Sequence, residues 1–411
     1  MNKSSFILSP FGNGIDTHRI WEALYFGKIP ITKFHKNFNS FDDLPILFVN
    51  DYEEVTEDLL TGNPELCNVI HSDGAGTKSI LAYLAYKENG DPDVFKGIAQ
   101  DSIVMNLDDL ACVGIWDRVV LSSTVNRNAR NFPGETLASL IEGTEEFLQS
   151  LRDLGINVES GGGETADVGD LTGTVAVDSC AVAVARRESI IDNANITPGL
   201  SIIGFSSSGR ASYESNLNSG IGSNGLTSAR HELLSKHYAE NYPETYDPLT
   251  DSEYIYCGPH RMDDQLPESE LKVGEALLSP TRTYLPIIKK VSEEIGKELK
   301  GAVHCSGGGQ TKCLRFGTKV KFVKDNLFQP PPIFKEIQKV SKTSTKEMFQ
   351  VYNMGHRLEI FCSPRFESTL LDIADEFHIK ARVIGRTEDT ESENGKNQLE
   401  ILADKEVLKY G

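Results

Sequence analysis

Five glycine-rich segments stand at or just beyond the ends of short apolar runs, which confines the chain to a fold where strands repeatedly give way to tight turns and helices. The runs Leu66 to Ser72, Arg118 to Val125, Ile156 to Ser160, Thr174 to Ala185, Leu200 to Ser206, Leu358 to Cys362 and Lys380 to Ile384 read as strands. Between them, Thr136 to Leu154 repeats Leu137, Leu140, Ile141, Thr144, Phe147, Leu148 and Leu151 at helical spacing, with Gly155 to stop it. A second helix is expected over about Ser102 to Gly114. A third follows Ser279-Pro280, with Pro286 expected to delay or kink it. The class expected is mixed α and β.

A chain of 411 residues can bury two cores. The polar stretch Asp192 to Gly199 is the best boundary, giving domains over 1–195 and 196–411. Lys236 to Leu266, rich in Tyr, Asp and Pro, reads as an insertion in the second domain, and Asp325 to Pro332 as a loop. The net charge of −19 argues against nucleic acid and anionic membrane as partners. No apolar run approaches the ~20 residues that span a bilayer, and Met1 to Ile20 lacks a basic segment followed by an apolar core, so no leader is expected. Seven scattered cysteines with no CxxC pair suggest neither a disulfide framework nor structural zinc, so a cytoplasmic chain is expected.

An acidic protein that handles phosphates needs a divalent metal or a few focused cations, and the glycine segments carry both kinds of residue. In the first, His71 to Lys78, two glycines allow backbone N–H groups close to an anion, Lys78 offers a point charge and Asp73 a hard oxygen ligand; the Walker spacing is absent. A surface lysine on an ordinary strand-to-helix turn reads the same way. On the following helix, Asp101 and Asp108 point alike with Asp109 about 80 degrees round, an arc of acids that fits either a metal or a solvated face. The third segment, Gly161 to Asp167, is expected to be an open loop presenting Glu164. The fourth and fifth are Gly220 to Gly225 and His304 to Lys312.

In this order the segments resemble the aminoimidazole ribonucleotide synthetase family, also called phosphoribosylformylglycinamidine cyclo-ligase. The family's DGVGTK is DGAGTK here (73 to 78), and its QD and NDL are QD (100 to 101) and DDL (108 to 110). GGETA is intact at 162 to 166. HSNG is represented by Ser223-Asn224-Gly225, APTRIY by SPTRTY (279 to 284), HxTGGGxT by HCSGGGQT (304 to 311), and FNMG by Tyr352 to Gly355. Gly222 stands where the family usually has His, and Asp108 where it usually has Asn.

The resemblance implies a two-domain α+β fold, with an N-terminal sheet that pairs into a barrel across a homodimer and a C-terminal α/β sandwich. It implies an ATP-dependent closure of formylglycinamidine ribonucleotide to 5-aminoimidazole ribonucleotide. Asp73, Asp101, Asp109 and Glu164 are then the candidate Mg²⁺ ligands, and Lys78, Asp101 and His304 the candidate catalytic residues. Asp73, Gly74, Gly76, Thr77, Lys78, Gly162, Gly163 and Glu164 are expected to bind ATP or phosphate, with Ser223, Asn224, Gly225, Ser306, Gly307, Gly308 and Gly309. Related enzymes fit less well. Selenophosphate synthetase needs a reactive Cys in an N-terminal loop, and Met1 to Thr32 has none. The thiamine-monophosphate kinase lacks the GGET and TGGG forms, and the hydrogenase-maturation protein ends in a cysteine. A catalytically silent nucleotide-binding or scaffold protein is the alternative from another class; Gly222 and Asp108 are its only support.

Overall fold

The computed structural model describes residues 6–8, 29–33, 46–49, 62–390, 392, 395–403 and 406–411. The chain divides into two units, residues 1–69 with 183–190, and residues 70–182 with 191–411. In the first, β1 (Phe6–Leu8), β2 (Ile29–Lys33) and β3 (Leu47–Val49) form a parallel sheet in that order. There too the Arg187 amide donates to the Glu65 carbonyl at 2.9 Å and its Nε to the Pro64 carbonyl at 3.0 Å.

A four-stranded sheet runs β4-β7-β5-β6, from β4 (Leu66–Gly74), β7 (Val175–Arg186), β5 (Val119–Arg127) and β6 (Val158–Asp167). Along β5, Val119 and Leu121 are buried while Val120 is exposed, the alternation of a sheet with one covered face. The GGGETAD segment is not the expected loop. It continues β6 to Asp167, parallel to β5, with the register slipping between Leu121 and Ser123. The reason is local: a Cβ on Gly163 would lie 2.0 Å from the Ser123 carbonyl oxygen, so only glycine lets the strands pair here.

Helices α1 (Lys78–Asn89), α2 (Val94–Cys112) and α3 (Gly134–Asp153) follow from the same part of the chain. The helix expected from the leucine spacing, Thr136 to Leu154, agrees with α3 within two residues. The second starts eight residues before Ser102, because its buried residues run all round its circumference and leave no single apolar stripe to read. This helix touches α1, α3, strand β9 (Leu299–His304) and helix α7 (Leu285–Ile295), so it is central to the second unit. Pro286 lies in the first turn of α7, where no amide is needed, and neither delays nor kinks it.

The larger sheet has seven strands in the order β14-β13-β10-β12-β8-β11-β9. Besides β9 these are β8 (Ser201–Ser206), β10 (Val320–Lys324), β11 (His356–Cys362), β12 (Ala381–Asp389), β13 (Gln398–Ala403) and β14 (Glu406–Tyr410). All pairs given by the register are antiparallel except β10 with β13. Every residue of β8 and β11 is buried, so both faces are covered. Helices α4 (Leu226–Leu233), α6 (Val273–Leu278) and α8 (Pro332–Ser341) share a core with Ile202, Phe322 and Phe361. Helix α9 (Glu367–Glu376) packs on β8 and α7. The fold is mixed α/β, and no closed barrel is present among the described residues.

The stretch 236–266 has its own hydrophobic support. After helix α5 (Lys236–Asn241), Tyr238 and Tyr256 are buried with their rings 5.9 Å apart, and the Arg230 guanidinium lies 5.4 Å over the Tyr256 ring. Glu88 of α1 receives Arg261 at 2.9 Å, His237 at 3.0 Å and the Tyr238 hydroxyl at 3.1 Å, so the insertion is clamped to the first helix. No helix among the described residues is long and apolar enough to cross a membrane.

Candidate active site

The DGAGTK segment is the hinge between β4 and α1. Gly74 donates its amide to Asp73 Oδ1 at 2.7 Å, and a Cβ there would fall 1.9 Å from Asp178 Oδ1 on β7. Asp73 is exposed beside that carboxylate, and burial together with the Asp73 charge raises the Asp178 pKa. Thr77 Oγ1 meets Thr227 Oγ1 at 3.0 Å, tying this segment to the start of α4 just beyond Ser223-Asn224-Gly225.

Lys78 does not face solvent or an open cleft. It is fully buried, donating to Asp101 Oδ1 at 2.8 Å and to the Ser279 carbonyl at 2.6 Å. The same Asp101 oxygen accepts the Thr281 amide at 2.7 Å and its hydroxyl at 2.5 Å. Burial lowers the Lys78 pKa, against the pull of Asp101. Asp108, also buried, accepts from Thr283 Oγ1 at 2.7 Å and the Tyr284 amide at 3.1 Å, and burial raises its pKa. The arc of acids on α2 is therefore neither a metal cage nor a solvated face. Asp101 and Asp108 anchor the SPTRTY segment, and Asp109 alone of the three retains partial exposure. The helical spacing was read correctly, but what packs against it was not visible in it.

Asp109 gathers basic side chains. His304 Nδ1 lies 2.8 Å from its Oδ1, Lys312 Nζ 3.6 Å from the same oxygen, and His71 Nε2 3.6 Å from Oδ2. Burial alone would raise this carboxyl, yet the His304 hydrogen bond and the neighbouring charges hold it at about 2. The other His304 nitrogen, Nε2, accepts from Arg357 Nε at 3.2 Å. A guanidinium N–H only donates, so the neutral ring carries its proton on Nδ1, toward Asp109. Both nitrogens of the candidate catalytic histidine are thus engaged within the protein.

The fourth and fifth glycine segments converge with YNMG. A cavity is lined by Gly222, Asn224, Ser306, Tyr352, Asn353 and Arg357, among others. Asn353 holds it together: its Oδ1 accepts from Ser207 Oγ at 2.9 Å, and its Nδ2 donates to the Gly220 carbonyl at 2.9 Å. Lys312 Nζ donates back to Ser306 Oγ at 3.1 Å across the turn of Gly307, Gly308 and Gly309. Gly225 precedes α4 at its N-terminus. Glu164, with Gly162 and Gly163, stands exposed on edge strand β6. Among the described residues, Asp73, Asp101, Asp109 and Glu164 do not form a cluster of mutually close ligand atoms. The one such group is Cys305, His356 and Glu359. There the buried Lys324 ammonium already pairs with Glu359, which also lies 3.0 Å from His356 Nε2, so an internal cation fills it.

Sequence reasoning missed Asp178, Lys312 and Arg357. Asp178 sits mid-strand with no glycine beside it, Lys312 stood inside the fifth segment without an assigned partner, and Arg357 lies just past YNMG. An arginine at the start of a strand, between His356 and Leu358, was the available signal, since such a residue is rarely buried without purpose.

A strand-to-helix glycine hinge and a second set of glycine turns beside a large mixed sheet accompany the class of aminoimidazole ribonucleotide (AIR) synthase related proteins. The models of that class match here, the N-terminal domain over residues 57–185 and the C-terminal domain over residues 197–396. The chain is 28% identical over 343 residues to a phosphoribosylformylglycinamidine cyclo-ligase of Methanocaldococcus jannaschii, covering 83% of each chain. It is 30% identical over 311 residues to that of Pyrococcus horikoshii, covering 75% of this chain and 76% of the other. The chain belongs to the phosphoribosylformylglycinamidine cyclo-ligase family. In fold it is also similar to a chain of a HypE-HypF complex, at 14% identity and a TM-score of 0.50, over 95% of this chain and 98% of that one.

Proposed function

We infer that the chain is an ATP-dependent ligase that closes formylglycinamidine ribonucleotide to 5-aminoimidazole ribonucleotide, ADP and phosphate in purine biosynthesis. The structural observation that supports this most is the convergence of the SNG, HCSGGGQT and YNMG segments on one cavity. In this reaction ATP phosphorylates the formyl amide oxygen, the amidine nitrogen attacks the activated carbon, and the oxygen leaves as phosphate.

Within that reading each group has a task. The turns at Ser223 to Gly225 and Ser306 to Gly309 offer backbone N–H groups to phosphoryl oxygens. Asp73 and Asp178 suit Mg²⁺, because two carboxylates crowded enough for one to raise the other's pKa favour a bound cation. Glu164 on the exposed edge strand is a further carboxylate for the metal-bound nucleotide. Such a metal offsets charge on the triphosphate. Lys78 and Asp101 are positioning residues that fix the glycine hinge against Thr281, and His304 positions Arg357.

The domains fall over 1–195 and 196–411 in this reading, and the chain pairs as a homodimer through the four-stranded sheet, closing a barrel across the pair. His71 reaches Asn106 of α2, so its strand neighbour Ile70 faces the other way, as Val120 does; they are 71% and 49% exposed. The seven cysteines are all free, which suits a reducing cytoplasm. The test is ADP release with Mg-ATP and formylglycinamidine ribonucleotide, beside thiamine monophosphate and selenide. ADP formed with the first alone, in step with aminoimidazole ribonucleotide, is the expected result. Turnover with either of the others, or ATP binding without turnover, contradicts it.

A further inference from the structure

Arg357 is 1% exposed and forms no ion pair among the described residues. Its Nε donates to His304, its Nη2 to the Arg282 carbonyl, and its guanidinium lies 5.4 Å over the Tyr284 ring. Its Nη1 has no partner. The carboxylates nearest in charge are committed elsewhere, Asp108 to Thr283 and Tyr284, and Asp109 to His304. A buried cation with an unused donor and no direct ion pair, offset only by the field of Asp108, is costly to keep unless something anionic arrives.

The space that Arg357 faces is small and polar. The cavity has a volume of about 10 Å³, room for one water-sized group. Position 222 opens it. A Cβ on Gly222 would lie 3.7 Å from Arg357 Cδ and 3.8 Å from Nη1, ordinary contacts, so the backbone tolerates a side chain there and glycine leaves space beside the buried guanidinium. Ser223 Oγ, next in the chain, is another buried polar atom without a partner. Asn224 Nδ2 stands within 3.7 Å of where a Gly307 Cβ would lie, on the same cavity.

Resting on the ligase reading above, we propose that Arg357, through Nη1, and the cavity between Gly222, Asn224, Ser306 and Asn353 form a subsite for one phosphoryl oxygen of a substrate. The guanidinium is planar and held on its other edge, so it presents a fixed donor where a lysine would present a mobile charge. The oxygen belongs either to the 5′-phosphate of the ribonucleotide or to the triphosphate of ATP.

The experiment measures KM for each substrate in Arg357→Met, Arg357→Lys and Gly222→Val, with thermal unfolding of each variant as a check of the fold. Loss of a charged hydrogen bond predicts a KM raised about 10- to 100-fold for one substrate in Arg357→Met. A rise for the ribonucleotide assigns the subsite to the 5′-phosphate, and a rise for ATP to the triphosphate. Arg357→Lys recovers part of the loss. Gly222→Val, which leaves Arg357 in place and fills the cavity, raises the same KM and keeps the test open if Arg357→Met unfolds. Both KM values within twofold of the parent in folded variants overturn the subsite, whatever happens to kcat. If the parent protein turns over no ribonucleotide, the ligase reading fails separately. The subsite is then read from stabilisation by inorganic phosphate, which raises the melting temperature of the parent and not of Gly222→Val if the subsite exists, and of neither or both alike if it does not.

Discussion

Lys78 and Asp101 meet inside the protein, and removing one strands the other. Lys78→Ala leaves a carboxylate that holds only the Thr281 donors, and the expected loss is about 3–5 kcal/mol in urea unfolding. A loss below 1 kcal/mol would show that Asp101 is not buried as described. Asp109 gives a second test. Its folded pKa of about 2 lies below the ordinary carboxylate value, so its contribution to stability is present above pH 4 and disappears as the pH falls from about 4 to 2. Asp109→Asn should remove on the order of 1–2 kcal/mol of stability at neutral pH and flatten the acid limb of the stability profile over that window. An unchanged acid limb would mean that His304 and Lys312 do not hold the carboxylate. At this scale the sequence made residue types legible and their surroundings illegible. Lys78 beside two glycines reads as a phosphate ligand until Ser279 and Thr281, two hundred positions away, are found to enclose it.

The elements were more legible than the residues. Helix α3 announced itself through leucine spacing because only one of its faces is buried. Helix α2 hid its start because it is wrapped on all sides, and β6 hid its second half because three glycines look like a loop when the partner strand is unknown. The β6 finding carries a prediction. Gly163→Val places side-chain atoms into the Ser123 carbonyl, so the strands must part. A loss of about 1–3 kcal/mol is expected in denaturant unfolding, with loss of amide protection along Thr124 to Arg127. Full protection in the variant would mean that β6 does not pair there. The Tyr-rich insertion is a similar case. Its composition marked only an insertion, and tyrosines can build a core within one when their hydroxyls find partners, as Tyr238 does on Glu88.

At the scale of the whole molecule, the family was legible from ordered short motifs, because those motifs are segments that approach one another closely in the fold. Whether copies of the chain pair was not, since an exposed sheet face and a core face alternate alike in sequence. A homodimer closed through that sheet predicts about twice the chain mass in sedimentation, and a monomer for Val120→Asp with its fold retained. A parent that sediments as a monomer at micromolar concentration contradicts it. The most direct measurement of the chemistry uses formylglycinamidine ribonucleotide carrying ¹⁸O in the formyl amide, with Mg-ATP and the purified protein, and analyses the phosphate released. Phosphorylation of the amide oxygen predicts one ¹⁸O in each phosphate formed with aminoimidazole ribonucleotide, and unlabelled phosphate, or no ring-closed product, would contradict it.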